Sequence, residues 1–114
     1  YEKSGPAVDA VTGYPGVLVR QAFVSAPGGD TVIELLEYTG GSGLVIDPDN
    51  GSVGAVHIAI QVHDLDETLA RLAERGTAAL STPMTGTAGP MQDHRFLYVL
   101  GPDRVRVELV EPPH

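Results

Sequence analysis

One strand-like phrase occurs twice in this chain. Val32-Ile33-Glu34-Leu35-Leu36-Glu37 reappears 74 positions later as Arg106-Val107-Glu108-Leu109-Val110-Glu111. Each copy follows a Gly/Pro/Asp turn, Pro27-Gly28-Gly29-Asp30 and Gly101-Pro102-Asp103, and each places a carboxylate between aliphatic neighbours. Burying such a carboxylate without a partner is costly, so its duplication points to two copies of one module whose Glu34 and Glu108 converge on a shared site. His57 lies between them, in the apolar run Ala55–Val62, so three potential metal ligands fall on three expected strands.

The same offset leaves something unmatched. Carried back 74 positions, His57 and the segment 55–75 fall ahead of Tyr1 or end near it. The sequence therefore reads as one whole module preceded by a module without its first strand and helix. With Tyr rather than Met at position 1, it also reads as a chain with further residues upstream.

The 114 residues suit one compact domain. The 14 glycines and 9 prolines favour short strands and turns over a helical bundle. With no cysteine, disulfides and thiolate chemistry are excluded, so any metal must be held by His and carboxylates. A formal charge of −8 argues against nucleic acid. The apolar runs are too short to span a bilayer. These features predict a soluble, cytoplasmic protein that contacts neither nucleic acid nor membrane.

Turn signals at Ser4-Gly5-Pro6 and Pro15-Gly16 bracket a short expected strand near Val8–Val11. A hairpin over 17–24 and 32–36 follows, and 39–54, rich in Gly, Ser, Asp and Asn, reads as a linker. The strand 55–62 leads to Asp64, a good helix N-cap with Glu67 three residues on, and Leu65, Leu69 and Leu72 then mark an amphipathic helix ended by Gly76. Strands over 95–99 and 104–110 complete the pattern. Alternation puts Val56, Ile58, Ile60, Val105, Val107 and Leu109 toward the helix, and His57 and Glu108 away from it. Around Glu34 both strand faces are apolar, which predicts a carboxylate buried from two sides. Glu37 and Glu111, at strand ends, are expected to be solvated, as are His63, His94 and His114. Arg106 shares the face of Glu108 and could neutralise it or bind an anionic group. Phe96 and Tyr98 are candidate cavity-lining residues, and 82–93, with Met84 and Met91, a candidate lid.

The segment His57-Ile58-Ala59-Ile60-Gln61-Val62-His63-Asp64-Leu65-Asp66, with Leu69, Gly76, Leu100-Gly101-Pro102-Asp103 and Val107–Glu111, resembles the vicinal oxygen chelate superfamily. That superfamily includes glyoxalase I, methylmalonyl-CoA epimerase, extradiol dioxygenases and bleomycin-resistance proteins. The resemblance implies an α+β fold of paired βαβββ modules around a metal or ligand cavity. Here that means a single domain over 1–114, with an incomplete first module over 1–38, the linker 39–54 and a second module over 55–111. It implies metal ligation by His57, Glu34 and Glu108, with Glu34 and Glu108 also catalytic, and substrate contacts from Arg106, Phe96 and Tyr98. The fourth ligand falls ahead of Tyr1.

The implied cofactor is a divalent ion, Zn, Ni, Co, Mn or Fe, that polarises a substrate oxygen while a Glu shuttles the proton. The implied activity is that of a metal-dependent lyase or isomerase acting on a small oxygen-chelating substrate, in a homodimer. The alternatives are a metal-free protein that sequesters an antibiotic or natural product, and an extradiol-type dioxygenase. The family turn Asp-Pro-Asp-Gly reads Gly101-Pro102-Asp103-Arg104 here, a departure that touches a turn and no ligand.

Overall fold

The computed structural model describes Tyr1–His114. The chain divides into two compact units, Tyr1–Ile46 and Asp47–His114.

The first unit is an antiparallel sheet in the order β1-β2-β3, built from β1 (Glu2–Lys3), β2 (Leu18–Ser25) and β3 (Val32–Thr39), with a one-sided excursion through helix α1 (Pro6–Thr12). The hairpin β2–β3 is registered over its whole length, from Leu18 opposite Thr39 to Ser25 opposite Val32. The strand expected near Val8–Val11 is instead part of α1. The signal at Ser4-Gly5-Pro6 is helix punctuation: Pro6 occupies the first helical turn, where its fixed φ and missing N–H do no harm, and Gly13 closes the helix with φ 77° and an N–H bond to the Asp9 carbonyl. Val17 and Val19 are buried, and Tyr14 and Tyr38 meet edge to face at 6.3 Å. β3 is not the two-sided buried strand its composition suggests. Every residue of it except Ile33 is exposed, because no helix covers either face within this unit.

The second unit is a complete βαβββ motif: β4 (Ile58–Gln61), α2 (Leu65–Glu74), β5 (Met84–Thr85), β6 (Arg95–Leu100) and β7 (Arg106–Glu111), in the sheet order β4-β7-β6-β5. β4 runs parallel to β7, and β6 pairs antiparallel with both β7 and β5. The fold is therefore α+β. β4 is shorter than the apolar run 55–62, since the preceding turn, closed by the Ala55 N–H on the Ser52 carbonyl, delays the ladder. The core forms where α2 lies on the sheet: Leu65, Leu97, Val99 and Leu109 are buried, with Ile60, Val62, Leu69, Leu72 and Val107 packed around them. The Asp64 side chain accepts the Glu67 N–H at 2.8 Å, as the capping pattern requires.

Glu111 departs from expectation. It is 6% exposed and accepts the Leu65 N–H at 2.6 Å, capping the first turn of α2 from the end of β7, with Arg95 at 3.5 Å. The carboxylate is buried because a helix N-terminus needs acceptors for its unpaired N–H groups. The segment 82–93 is organised as well. Gly86 donates to the His94 carbonyl and accepts from Asp93, both at 2.9 Å, and a side chain at Gly86 would collide with the Met91 carbonyl.

The two units share a plan. Glu34 opposes Phe23 in the first hairpin, and Glu108 opposes Tyr98 in the second. The carboxylates are 74 residues apart and the aromatics 75, because the first hairpin loop, 26–31, is one residue longer than the second, 101–105.

Candidate functional site

Three strands of the second unit place one cluster on the sheet face away from α2. On β7, Val107 and Leu109 turn into the core, so Glu108 turns outward. β6 sets Tyr98 directly across from it. On the other flank β4 pairs Ala59 with Glu108. His57 lies one residue ahead of β4, beside this rung. His57 Nε2 lies 3.3 Å from Glu108 Oε2 and 3.4 Å from the Tyr98 hydroxyl, and the His57 and Tyr98 rings meet edge-on with centroids 5.1 Å apart. The His57 side chain is 36% exposed and that of Glu108 15%. Burial first, and the Glu108 charge second, hold the Tyr98 phenol above its ordinary pKa, so it stays protonated.

One imidazole nitrogen thus faces two oxygens. A neutral ring can use Nε2 as a donor to Glu108 or as an acceptor from Tyr98, but not both. A cation resolves the conflict, since it is attracted to the ring lone pair and to the carboxylate together. The spacing fits: ligand atoms at about 2.0–2.2 Å from a shared divalent ion stand roughly 3.0–3.4 Å apart in tetrahedral or octahedral arrangements. The donor set of an imidazole and a carboxylate suits borderline divalent metals. Within the second unit His57 and Glu108 form a pair, and no third His, Asp or Glu makes a cluster with them.

The other expected residues fall as follows. Arg106 is 7% exposed and its guanidinium donates to the Arg104 carbonyl at 2.7 Å and to the Asp49 carboxylate at 3.1 Å. Its charge is therefore met by Asp49 and not by Glu108. Asp49 was invisible to sequence reasoning, as no spacing rule links residues 57 apart. Phe96 lies on the face of Tyr98, half-buried, opposite Val110. In the first unit Glu34 is exposed, and the Gln21 side chain donates to it. Gln21 also escaped the sequence reading, although its place on the face of Phe23 follows from alternation. Glu37 is exposed and pairs with Arg20 at 3.2 Å. The rings of His63 and His114 lie 5.8 Å apart, and His114 Nε2 lies 3.5 Å from Glu111. No helix is long and apolar enough to cross a membrane.

Comparison with known proteins agrees with this architecture. The chain is 34% identical over 84 residues to a 2-epi-5-epi-valiolone epimerase from an Actinomyces species, an alignment that covers 73% of this chain and 46% of that protein. The chain thus spans about half the length of that relative. The crystal structure of a glyoxalase family protein from Bacillus cereus superposes over 99% of this chain and 74% of its own, with a TM-score of 0.74 at 22% identity, a likeness of fold. A profile of the glyoxalase/bleomycin resistance protein/dioxygenase superfamily matches residues 11–109. With a match of that extent over a βαβββ scaffold, the chain belongs to the glyoxalase/bleomycin resistance protein/dioxygenase superfamily.

Proposed function

We propose that this chain binds a divalent metal ion through His57 Nε2 and the Glu108 carboxylate, and that it serves an isomerase- or lyase-type reaction, epimerisation foremost, on a small substrate that chelates through two oxygens. The observation that carries the reading is the single imidazole nitrogen set between two oxygens at 3.3 and 3.4 Å. Membership of the superfamily and the similarity to an epimerase support it. When bound, the ion supplies Lewis-acid polarisation of a substrate carbonyl. The residues divide the remaining work. Glu108 Oε1, the oxygen turned from His57, takes a proton from the carbon beside the carbonyl and returns it. The Tyr98 hydroxyl, kept protonated by burial and by Glu108, is left to donate a hydrogen bond to a substrate oxygen once the ion holds His57 Nε2, and its ring meets the imidazole edge-on. Phe96 and Val110, opposite one another on the next rung, flank the carboxylate with apolar surface that limits water.

The test is metal content and calorimetric titration with Zn, Mn, Ni and Co, on the parent and on His57→Ala. Stoichiometric binding by the parent and its loss in His57→Ala are expected. Unfolding free energy should change by less than about 1 kcal/mol, since a partly exposed side chain contributes little packing. Glu34→Gln, made separately, reads the part played by the corresponding carboxylate of the first unit. A parent that takes up no metal but binds an organic ligand would overturn the proposal in favour of sequestration.

A further inference from the structure

The sheet ladder does not hold His57, because the first rung between β4 and β7 pairs Ile58 with Val107. Packing does not hold it either, since Val53 and Val56, the aliphatic side chains just upstream, are exposed. What leads up to His57 is a relay of turn bonds. The Asp47 carboxylate accepts the Asp49 N–H at 3.0 Å, and Asp49 Oδ1 accepts the Gly51 N–H at 2.9 Å. The Asp49 carbonyl then accepts the Ser52 N–H at 2.9 Å, and the Ser52 carbonyl the Ala55 N–H at 3.1 Å. Bonds this local shape a segment without fixing its place on the fold.

Arg106 supplies the place. β4 and β7 are parallel and start at the same end of the sheet, and carried one step back their register sets His57 next to Arg106. The Arg106 side chain is only 8% exposed, and its guanidinium ties together the approaches to both strands. One nitrogen donates to the Arg104 carbonyl at 2.7 Å, in the turn before β7, and another donates to Asp49 Oδ2 at 3.1 Å, ahead of β4. Asp49 thus divides its carboxylate, with Oδ1 serving its own turn and Oδ2 the guanidinium. A rigid planar fork suits that span, which the single point charge of a Lys does not.

We infer that Asp49 and Arg106 are positioning residues for His57. Their ion pair seats the segment 49–57 against the start of β7, and so keeps the imidazole within reach of Glu108 and edge-on to Tyr98. The pair acts only through where it places His57.

The test reads the nuclear Overhauser contact between the His57 and Tyr98 rings, whose centroids are 5.1 Å apart, in the metal-free full chain. Methyl resonances of Leu97 and Leu109 report on the core. Asp49→Asn keeps Oδ1 for the turn and sets an NH2 group against the guanidinium. The double variant Asp49→Ala/Arg106→Met removes both partners, so no unpaired buried charge is left to unfold the chain. In both, the ring contact should be lost while the core methyls stay in place. Zn affinity should also fall about tenfold, as for groups that orient a metal ligand from outside the coordination shell. That second measurement rests on the metal-binding function proposed above; a parent that binds no Zn overturns that function and leaves the ring contact to decide the positioning role. A ring contact that survives in either folded variant would overturn the inference. So would core methyls that shift along with it in both, because the pair would then be holding the fold at large.

Discussion

Replacing Glu111 by Ala should destabilise the second unit by about 2–3 kcal/mol, although a strand-end carboxylate is ordinarily an indifferent residue. The Glu111 carboxylate accepts the N–H of Leu65, a side chain with no exposed surface, at 2.6 Å. A hydrogen bond to a charged acceptor contributes about 1.5–3 kcal/mol, and the donor left behind has no water to turn to. The contacts to Arg95 and His114, each at 3.5 Å, are long and contribute little. Glu111→Gln keeps an acceptor in place and should cost about 1 kcal/mol. The internal repeat supplies the control. Glu37, the counterpart of Glu111, is exposed and paired with Arg20 at 3.2 Å, so Glu37→Ala should change stability by less than about 0.5 kcal/mol. In thermal unfolding the Glu111→Ala loss corresponds to a fall of about 10–20 °C for a unit of this size. The assay is urea and thermal unfolding of the four proteins by circular dichroism. Equal stabilities for Glu111→Ala and Glu37→Ala would refute the capping role.

Two further predictions use the cluster and its turn. Of the four tyrosines, Tyr98 should ionise last in a spectrophotometric titration, above the ordinary value of 10.0. A phenol whose folded pKa is raised stabilises the fold fully below its unfolded pKa and loses that contribution as pH rises through the folded pKa, so stability should decline above about pH 10. Glu108→Gln should lower the late ionisation only in part, because burial is the larger cause; full return to the ordinary value would contradict that order. Arg104 has φ 64° in the turn before β7, a left-handed conformation that disfavours side chains. Arg104→Gly should stabilise the fold by a few tenths to about 1 kcal/mol in urea unfolding, and a loss of stability would show that the Arg104 side chain holds the turn.

Much of the second unit was legible because its signals are local. Asp64 and Glu67 mark the start of α2, Leu65, Leu69 and Leu72 its buried stripe, and alternation along β7 sent Glu108 to the face where His57 meets it. The misreadings share one cause, which is that burial depends on what covers a surface. Ile33 and Leu35 match Val107 and Leu109 in sequence, yet only the second pair lies under a helix, so Leu35 is exposed where Leu109 is buried. The roles of Glu111 and Asp49 arise from contacts with Leu65 and Arg106 across 46 and 57 residues, which no periodicity encodes. α1 is a separate case: Ser4-Gly5-Pro6, taken as a turn signal, starts a helix that Gly13 stops.

The sheet order β4-β7-β6-β5 also sets a timetable for biosynthesis. β7 is the last strand of the second unit to be made, yet it lies between β4 and β6 and brings the Glu111 acceptor to α2. Until Glu111 has cleared the ribosome, β4 has no neighbour to pair with and the leucine stripe of α2 has only part of its floor. The first unit is a meander of sequential neighbours and needs nothing beyond Thr39 to complete its ladder. A nascent chain therefore carries a finished first sheet while the aliphatic residues of the second remain open to water and to chaperones, and emergence of the final strand from the ribosome closes that interval.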